Sequence, residues 1–222
     1  MKLSVVIPTL DEAEWIGAAV GSAISPDVEI LVVDGGSADG TTARAAAAGA
    51  RVIASEPGRA RQLGVGARAC GGDAIVFLHA DTRLPSGWES AVRRALEDAV
   101  TVGGAFRLRL EPSSPALKLV EWGARLRVAL FRLPYGDQAL FVRRATLEQM
   151  GGVPQVPIME DLDLVRGMKR RGRLALLPQE VVTSARRHLA GGPLRTAARH
   201  LVAALAWTAG VPRSRVADWV RR

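Results

Sequence analysis

Glu29-Ile30-Leu31-Val32-Val33-Asp34-Gly35-Gly36-Ser37 is an unbroken apolar run that ends in an acid, two glycines and a hydroxyl. A run without polar alternation fits a strand buried on both faces, as in a parallel sheet covered by helices. Similar runs lie on either side of it. Leu3–Ile7 precedes it and is expected to stop at Pro8, while Arg51–Ala54 and Ala74–Leu78 follow. Helical stretches fall between them: Glu12–Ala23, Asp39–Ala48 closed by Gly49, and Gly58–Cys70 closed by Gly71. Strands alternating with helices of about 10–15 residues build βαβ units, so an α/β fold with a mostly parallel central sheet is expected.

Such sheets bind ligands beyond the carboxyl ends of their strands. Here those ends are Thr9–Glu12, Asp34–Ser37, Ser55–Arg61 and His79–Thr82, where polar and acidic residues collect. Further on, Ser86-Gly87-Trp88-Glu89 reads as a capping box opening a helix with Trp88, Val92, Leu96 and Val100 at helical spacing. Gly104–Leu110 alternates, with Phe106, Leu108 and Leu110 on one face and Arg107 and Arg109 on the other, which predicts a half-exposed strand. Ala116–Leu133 reads as a basic amphipathic helix, Ala139–Val142 as a strand, Glu160–Arg171 as a helix and Leu174–Leu177 as a late strand. A change of composition after about Gly103 divides the chain without a linker, so one domain is expected.

With 222 residues, 48% of them hydrophobic, the chain can bury a substantial core. Its net charge of +8 attracts phosphates, nucleic acid or an anionic membrane, and composition alone does not choose among them. The aromatics, 5% of residues, do not interleave with the basic positions as a stacking platform would, so no nucleic-acid partner is expected. One cysteine, Cys70, excludes an intrachain disulfide or a multi-cysteine zinc site and fits a reducing cytoplasm. The N-terminal apolar run is too short for a secretory signal, and His200–Val211 falls short of the ~20 residues a spanning helix needs.

Five motifs in order tie these elements together: Val5-Val6-Ile7-Pro8-Thr9-Leu10-Asp11-Glu12, Val32-Val33-Asp34-Gly35-Gly36-Ser37-Ala38-Asp39-Gly40-Thr41, Phe77-Leu78-His79-Ala80-Asp81-Thr82, Gly136-Asp137-Gln138 and Met159-Glu160-Asp161. They resemble the GT-A-fold glycosyltransferases of family 2, over roughly Leu3 to Gln179. Within that family the chain is similar to small single-domain bacterial transferases whose metal motif reads His-Ala-Asp. The resemblance implies inverting transfer of a sugar from a nucleotide-diphosphate sugar, UDP-linked, to a hydroxyl acceptor with the help of Mn²⁺ or Mg²⁺. It assigns Asp34 to the base, Pro8, Thr9 and Glu12 to base and ribose, and Arg61 and Gln62 to the nucleotide. Asp81 would hold the metal, with His79 at the ribose or the metal in place of the usual carboxylate. Asp137, Gln138 and Glu160 would face the donor sugar and acceptor, and Asp161 would be the general base. Arg186 and Arg187 would hold the diphosphate and His188 a metal, in a stretch that equally reads as a solvated loop.

The same resemblance divides the single domain into a nucleotide-binding half (1–103), an acceptor half (104–190) and a basic amphipathic C-terminal segment (191–222). A lipid-linked acceptor, peripheral membrane contact through that segment, and a homo-oligomer are left open. From spacing alone, Glu160, Asp161 and Asp163 are also what a helix macrodipole favours in a first turn, and Arg59 reads equally as a solvated basic face. A non-catalytic nucleotide- or nucleic-acid-binding module is the alternative class. Gly64-Val65-Gly66-Ala67-Arg68-Ala69 fits a dinucleotide fingerprint as text only, because it falls inside a helical pattern.

Overall fold

The computed structural model describes residues 1–221; Arg222, the end of the basic C-terminal segment, lies outside the described residues. In chain order the elements are β1 (Leu3–Thr9), α1 (Ile16–Ala23), β2 (Val28–Asp34), α2 (Thr41–Ala47), β3 (Arg51–Ala54), α3 (Arg59–Ala69), β4 (Ala74–Phe77), β5 (Thr82–Arg83), α4 (Trp88–Ala95) and β6 (Thr101–Glu111). There follow α5 (Pro115–Phe131), a 3₁₀ turn (Gly136–Gln138), β7 (Phe141–Arg143), α6 (Arg144–Gln149), α7 (Glu160–Lys169), β8 (Arg173–Ser184), α8 (Arg186–Gly191), α9 (Pro193–Thr208) and α10 (Arg213–Arg221).

The strands form one sheet in the order β3-β2-β1-β4-β7-β6-β8-β5. β7 is antiparallel to both β4 and β6, β5 is antiparallel to β8, and every other pair is parallel. The unbroken apolar runs have a simple cause. Val5, Ile7, Val32, Val76 and Leu78 pack on one face against Ile16, Val20, Trp88 and Val92. Val6, Leu31, Val33, Ile75 and Phe77 pack on the other against Leu63, Ala67, Leu164 and Met168. β1, β2 and β4 therefore bury both of their alternating sets.

Three expectations need correction. β1 runs through Pro8 to Thr9 instead of stopping at Pro8. Val6 O accepts from Leu78 N on the β4 side, and by alternation Pro8 faces that same side, beyond the last β1–β4 pair, Val6 with Phe77. Its missing N–H therefore costs no ladder bond. Likewise β8 extends from Arg173 to Ser184, through Pro178. Opposite it the ladder passes from Ala105 with Leu176 to Arg107 with Glu180, so the proline sits in a bulge. At α4 there is no capping box: Gly87, in the left-handed region at φ 70°, starts the helix with no side-chain cap bond. That helix ends at Ala95, and Val100 lies beyond it, exposed.

Candidate active site

Asp34 closes β2, and its carboxylate organises the turn that follows. Oδ2 accepts from the amides of Gly36 (2.9 Å) and Ser37 (3.0 Å), and Oδ1 accepts from the Ser37 hydroxyl. Gly36 stands at φ 100°, a conformation that favours glycine. The neighbouring loop is laced to it, since Asp11 N donates to Ser37 Oγ and Ala38 N to Asp11 Oδ1. Between them lie Pro8, half-buried, and Thr9, whose buried hydroxyl has no hydrogen-bond partner. Gln62 is spent on structure: Nε2 donates to Thr9 O (2.7 Å) and Val33 O (2.9 Å), tying α3 to the ends of β1 and β2.

The short β5 brings the second cluster together. Thr82 and Arg83 pair with Thr183 and Val182, and Ser184 N donates to Asp81 O at 3.0 Å. The turn His79-Ala80-Asp81 is thereby set beside the end of β8 and the start of α8. Arg186 reaches back across it. Its Nε lies 3.2 Å from Asp81 Oδ2, its Nη2 bonds both oxygens of Glu12, and its guanidinium sits 5.7 Å above the Trp15 ring. Where a solvated loop was one reading of Ser184–His188, the chain instead turns from β8 directly into α8.

α7 supplies the third cluster. Met159, left-handed at φ 64°, starts the helix and places Glu160 and Asp161 in its first turn. Asp161 Oδ2 accepts from Gly136 N (2.8 Å) and Oδ1 from Leu162 N (2.9 Å), so the carboxylate is fixed in orientation. Glu160 is buried and paired with Arg59, whose Nη2 also lies 4.0 Å from Asp161 Oδ2 and whose Nη1 lies 3.4 Å from His79 Nε2.

These groups face a cavity of about 590 Å³. His79, Asp81, Asp137, Asp161, Arg187 and His188 line it, with Glu160 on its wall and Arg61, exposed and paired with Glu56, at the lining from α3. Two buried polar atoms there lack partners, Asp137 Oδ1 and His188 Nδ1. The electrostatics are strongly shaped by enclosure. Burial, then Arg59 and Arg187, push His79 well below the usual histidine range, which keeps its imidazole neutral. His200, which also lines the cavity, is pushed down to about 4 by burial and by its neighbours His188 and Arg199. Burial raises the Asp137 carboxyl against the pull of Arg127, with Asp161 adding to the rise. For Arg59 burial alone would favour the neutral form, but Glu160 and Asp161 outweigh it and hold the charge more firmly than usual.

The cavity thus gathers eight of the residues singled out in the sequence. Pro8, Thr9, Glu12 and Asp34 lie along the neighbouring strand ends, and Arg186 joins the two regions. Gln62 and Gln138 do not line the cavity; Gln138 is buried against Tyr135 N, Phe106 O and Arg127. Sequence reasoning gave too little weight to Arg59 and passed over Trp15, Tyr135 and His200. His200 carried no signal, because it stands within an apolar helical run.

Among the described residues, no three His, Cys, Asp or Glu side chains cluster to hold a metal by themselves. Asp81 and His188 nevertheless line one cavity, and the imidazole has an unpartnered nitrogen. A carboxylate and an imidazole fit a divalent ion that draws its remaining ligands from phosphate oxygens.

The family model for glycosyl transferase family 2 matches residues 4–134, more than half of the chain. The chain belongs to glycosyl transferase family 2. A glucosyl-3-phosphoglycerate synthase of Mycolicibacterium paratuberculosis is 42% identical over an alignment 97 residues long that covers 37% of this chain and 29% of that protein. The match therefore spans less than a third of that relative's length. Among solved structures, a mycobacterial protein superposes with a TM-score of 0.65 at 28% identity, covering 96% of this chain and 76% of the other. The Mycobacterium tuberculosis glucosyl-3-phosphoglycerate synthase, in a complex with Mn²⁺, UDP-glucose and phosphoglyceric acid, gives a TM-score of 0.69 at 24% identity, covering 95% and 80%. That likeness establishes the shared GT-A fold. Membership of this family makes the sheet ends and the cavity the places to look for a donor and an acceptor.

Proposed function

We propose that this glycosyltransferase moves a sugar from a UDP-linked donor to a hydroxyl acceptor with inversion at the anomeric carbon. One observation carries the reading. Asp161, held by two backbone amides, faces the same cavity as the His79-Ala80-Asp81 turn and the Arg187-His188 pair. The acceptor hydroxyl would attack the anomeric carbon, Asp161 would take its proton, and the bond from that carbon to the diphosphate oxygen would break. Arg187 and Arg186 would bind the departing diphosphate. Asp81 and His188 would hold a divalent ion, which when bound supplies Lewis-acid neutralisation of the leaving group. Neutral His79 offers the ribose a hydrogen-bond partner without adding charge. Asp34, Pro8, Thr9 and Glu12 are assigned to the base and ribose, and Asp137, with its free buried oxygen, to sugar hydroxyls.

The division into a nucleotide half (1–103), an acceptor half (104–190) and a C-terminal segment belongs to the same proposal. α9 supports treating the last part as more than an appendage, since His200 and Ala203 line the cavity. A cytoplasmic setting is supported by the single, free and buried Cys70.

The test is a melting-shift panel of nucleoside diphosphates with and without Mn²⁺, paired with transfer assays on Asp161→Asn. The proposal expects a shift that needs both UDP and metal, retained in the variant, and loss of transfer by about 10²–10⁴-fold. Full turnover in Asp161→Asn would remove it as the base.

A further inference from the structure

Helix α5 is apolar on two opposite sides. Leu117, Ala124 and Val128 pack inward, together with the aliphatic stem of Glu121. Leu119, Trp122, Leu126 and Leu130 recur at helical spacing on the outside and are exposed, Trp122 by 59% and Leu130 by 64%. A surface helix in water ordinarily has one apolar stripe. α9 packs against α5 and repeats the pattern: Ala203, Ala204 and Trp207 point inward, while Leu194, Leu201, Val202 and Leu205 are exposed. Single exposed leucines need no explanation, but two such stripes on adjoining helices do.

The charges around them have one sign. Residues 112–134 contain a single acid, Glu121, which is buried and accepts from Leu110 N, and residues 185–217 contain none. The same stretches carry Lys118, Arg125, Arg195 and Arg215 on the exposed surface; of these, Arg125 is paired with Glu180. A second copy docking through this face would set basic rim against basic rim in a two-fold contact. A layer of anionic headgroups complements it instead. Apolar stripes, flanking cations and an outward tryptophan are the composition of a helix lying in a membrane interface. No helix among the described residues is long and apolar enough to cross a membrane.

We propose that the outer faces of α5 and α9 dock the protein on the surface of an anionic lipid bilayer. The opposite side of α9 carries His200 and Ala203 on the cavity wall, so docking sets the cavity one helix away from the lipid. The inference stands independently of which donor and acceptor the enzyme uses.

The experiment is vesicle co-sedimentation of the full chain on phosphatidylcholine, with and without phosphatidylglycerol, alongside light-scattering mass in solution. Two double variants accompany it, Trp122→Ser with Leu130→Ser and Lys118→Glu with Arg195→Glu. All four positions are exposed, so thermal melts are expected to match the wild type. The wild type should pellet with phosphatidylglycerol vesicles and release at high salt. Each double variant should partition at least about tenfold less. Failure of the wild type to pellet, equal pelleting without phosphatidylglycerol, or unchanged partition of the variants overturns the proposal. So does a solution dimer that the Trp122→Ser, Leu130→Ser variant dissociates while the wild type ignores vesicles.

Discussion

The amide of Gly136 donates to Oδ2 of Asp161 at 2.8 Å, joining the turn before β7 to the first turn of α7. A Cβ at Gly136 would lie 3.1 Å from His79 Nε2 and 3.2 Å from Asp161 Oδ2, so the glycine sets how closely the proposed base and His79 approach. Gly136→Ala is expected to fold, because those neighbours need move only slightly. Its turnover should fall by about tenfold or more, since small displacements of a catalytic group are costly. Steady-state kinetics beside a thermal melt check this, and wild-type turnover would show that the spacing is not critical.

Arg59 is the counter-charge of a buried acid. Glu160 is 3% exposed and its ion pair is with Arg59. Removing one partner of a buried pair leaves the other uncompensated, so Arg59→Ala should destabilise the fold by about 3 kcal/mol. The low end of the usual range applies because the Arg59 side chain is partly exposed and water can reach the gap. Urea denaturation measures the loss. The double variant Arg59→Met with Glu160→Leu should recover much of it, because no buried charge remains.

The parallel half of the sheet was legible because β1, β2 and β4 bury both faces, which writes a continuous apolar run. Motif order located Asp34, Asp81 and Asp161 for the same reason that motifs exist at all: strand ends and first helical turns are local. Contacts between distant segments were not legible. Arg186 meets Asp81 across 105 residues through a two-residue β5, too short to leave a pattern. Pro8 misled because proline stops a strand only where its N–H would have been needed. Gly66 was read correctly as part of a helix, and its use is packing: a Cβ there would clash with Val6 and come within 2.9 Å of Val33.

Arg186 holds a carboxylate that the proposed metal needs. Its guanidinium bonds Asp81 and Glu12 together. In Arg186→Ala, Mn²⁺ alone should bind more tightly than to the wild type, because no cation competes for Asp81. With UDP present the order should reverse, since the variant lacks the proposed diphosphate contact. Titration followed by the Mn²⁺ paramagnetic resonance signal reads both arms. Identical affinities in wild type and variant would detach Arg186 from the metal site.

Two histidines that line the cavity, His79 and His200, make the metal-free fold acid-sensitive. His79 is held well below, and His200 at about 4 against, the ordinary 6.5. Between those values the unfolded chain binds protons that the folded chain refuses, so stability rises with pH through this window. Their contribution is fully present above 6.5 and drains away as pH falls toward 4. Melting temperature should therefore decline steadily from pH 7 to pH 5, before most carboxylates begin to titrate. His200→Asn removes one of the two protons from the balance and should flatten that slope. A wild-type melting temperature independent of pH across this range would mean that both imidazoles take up protons freely in the folded cavity.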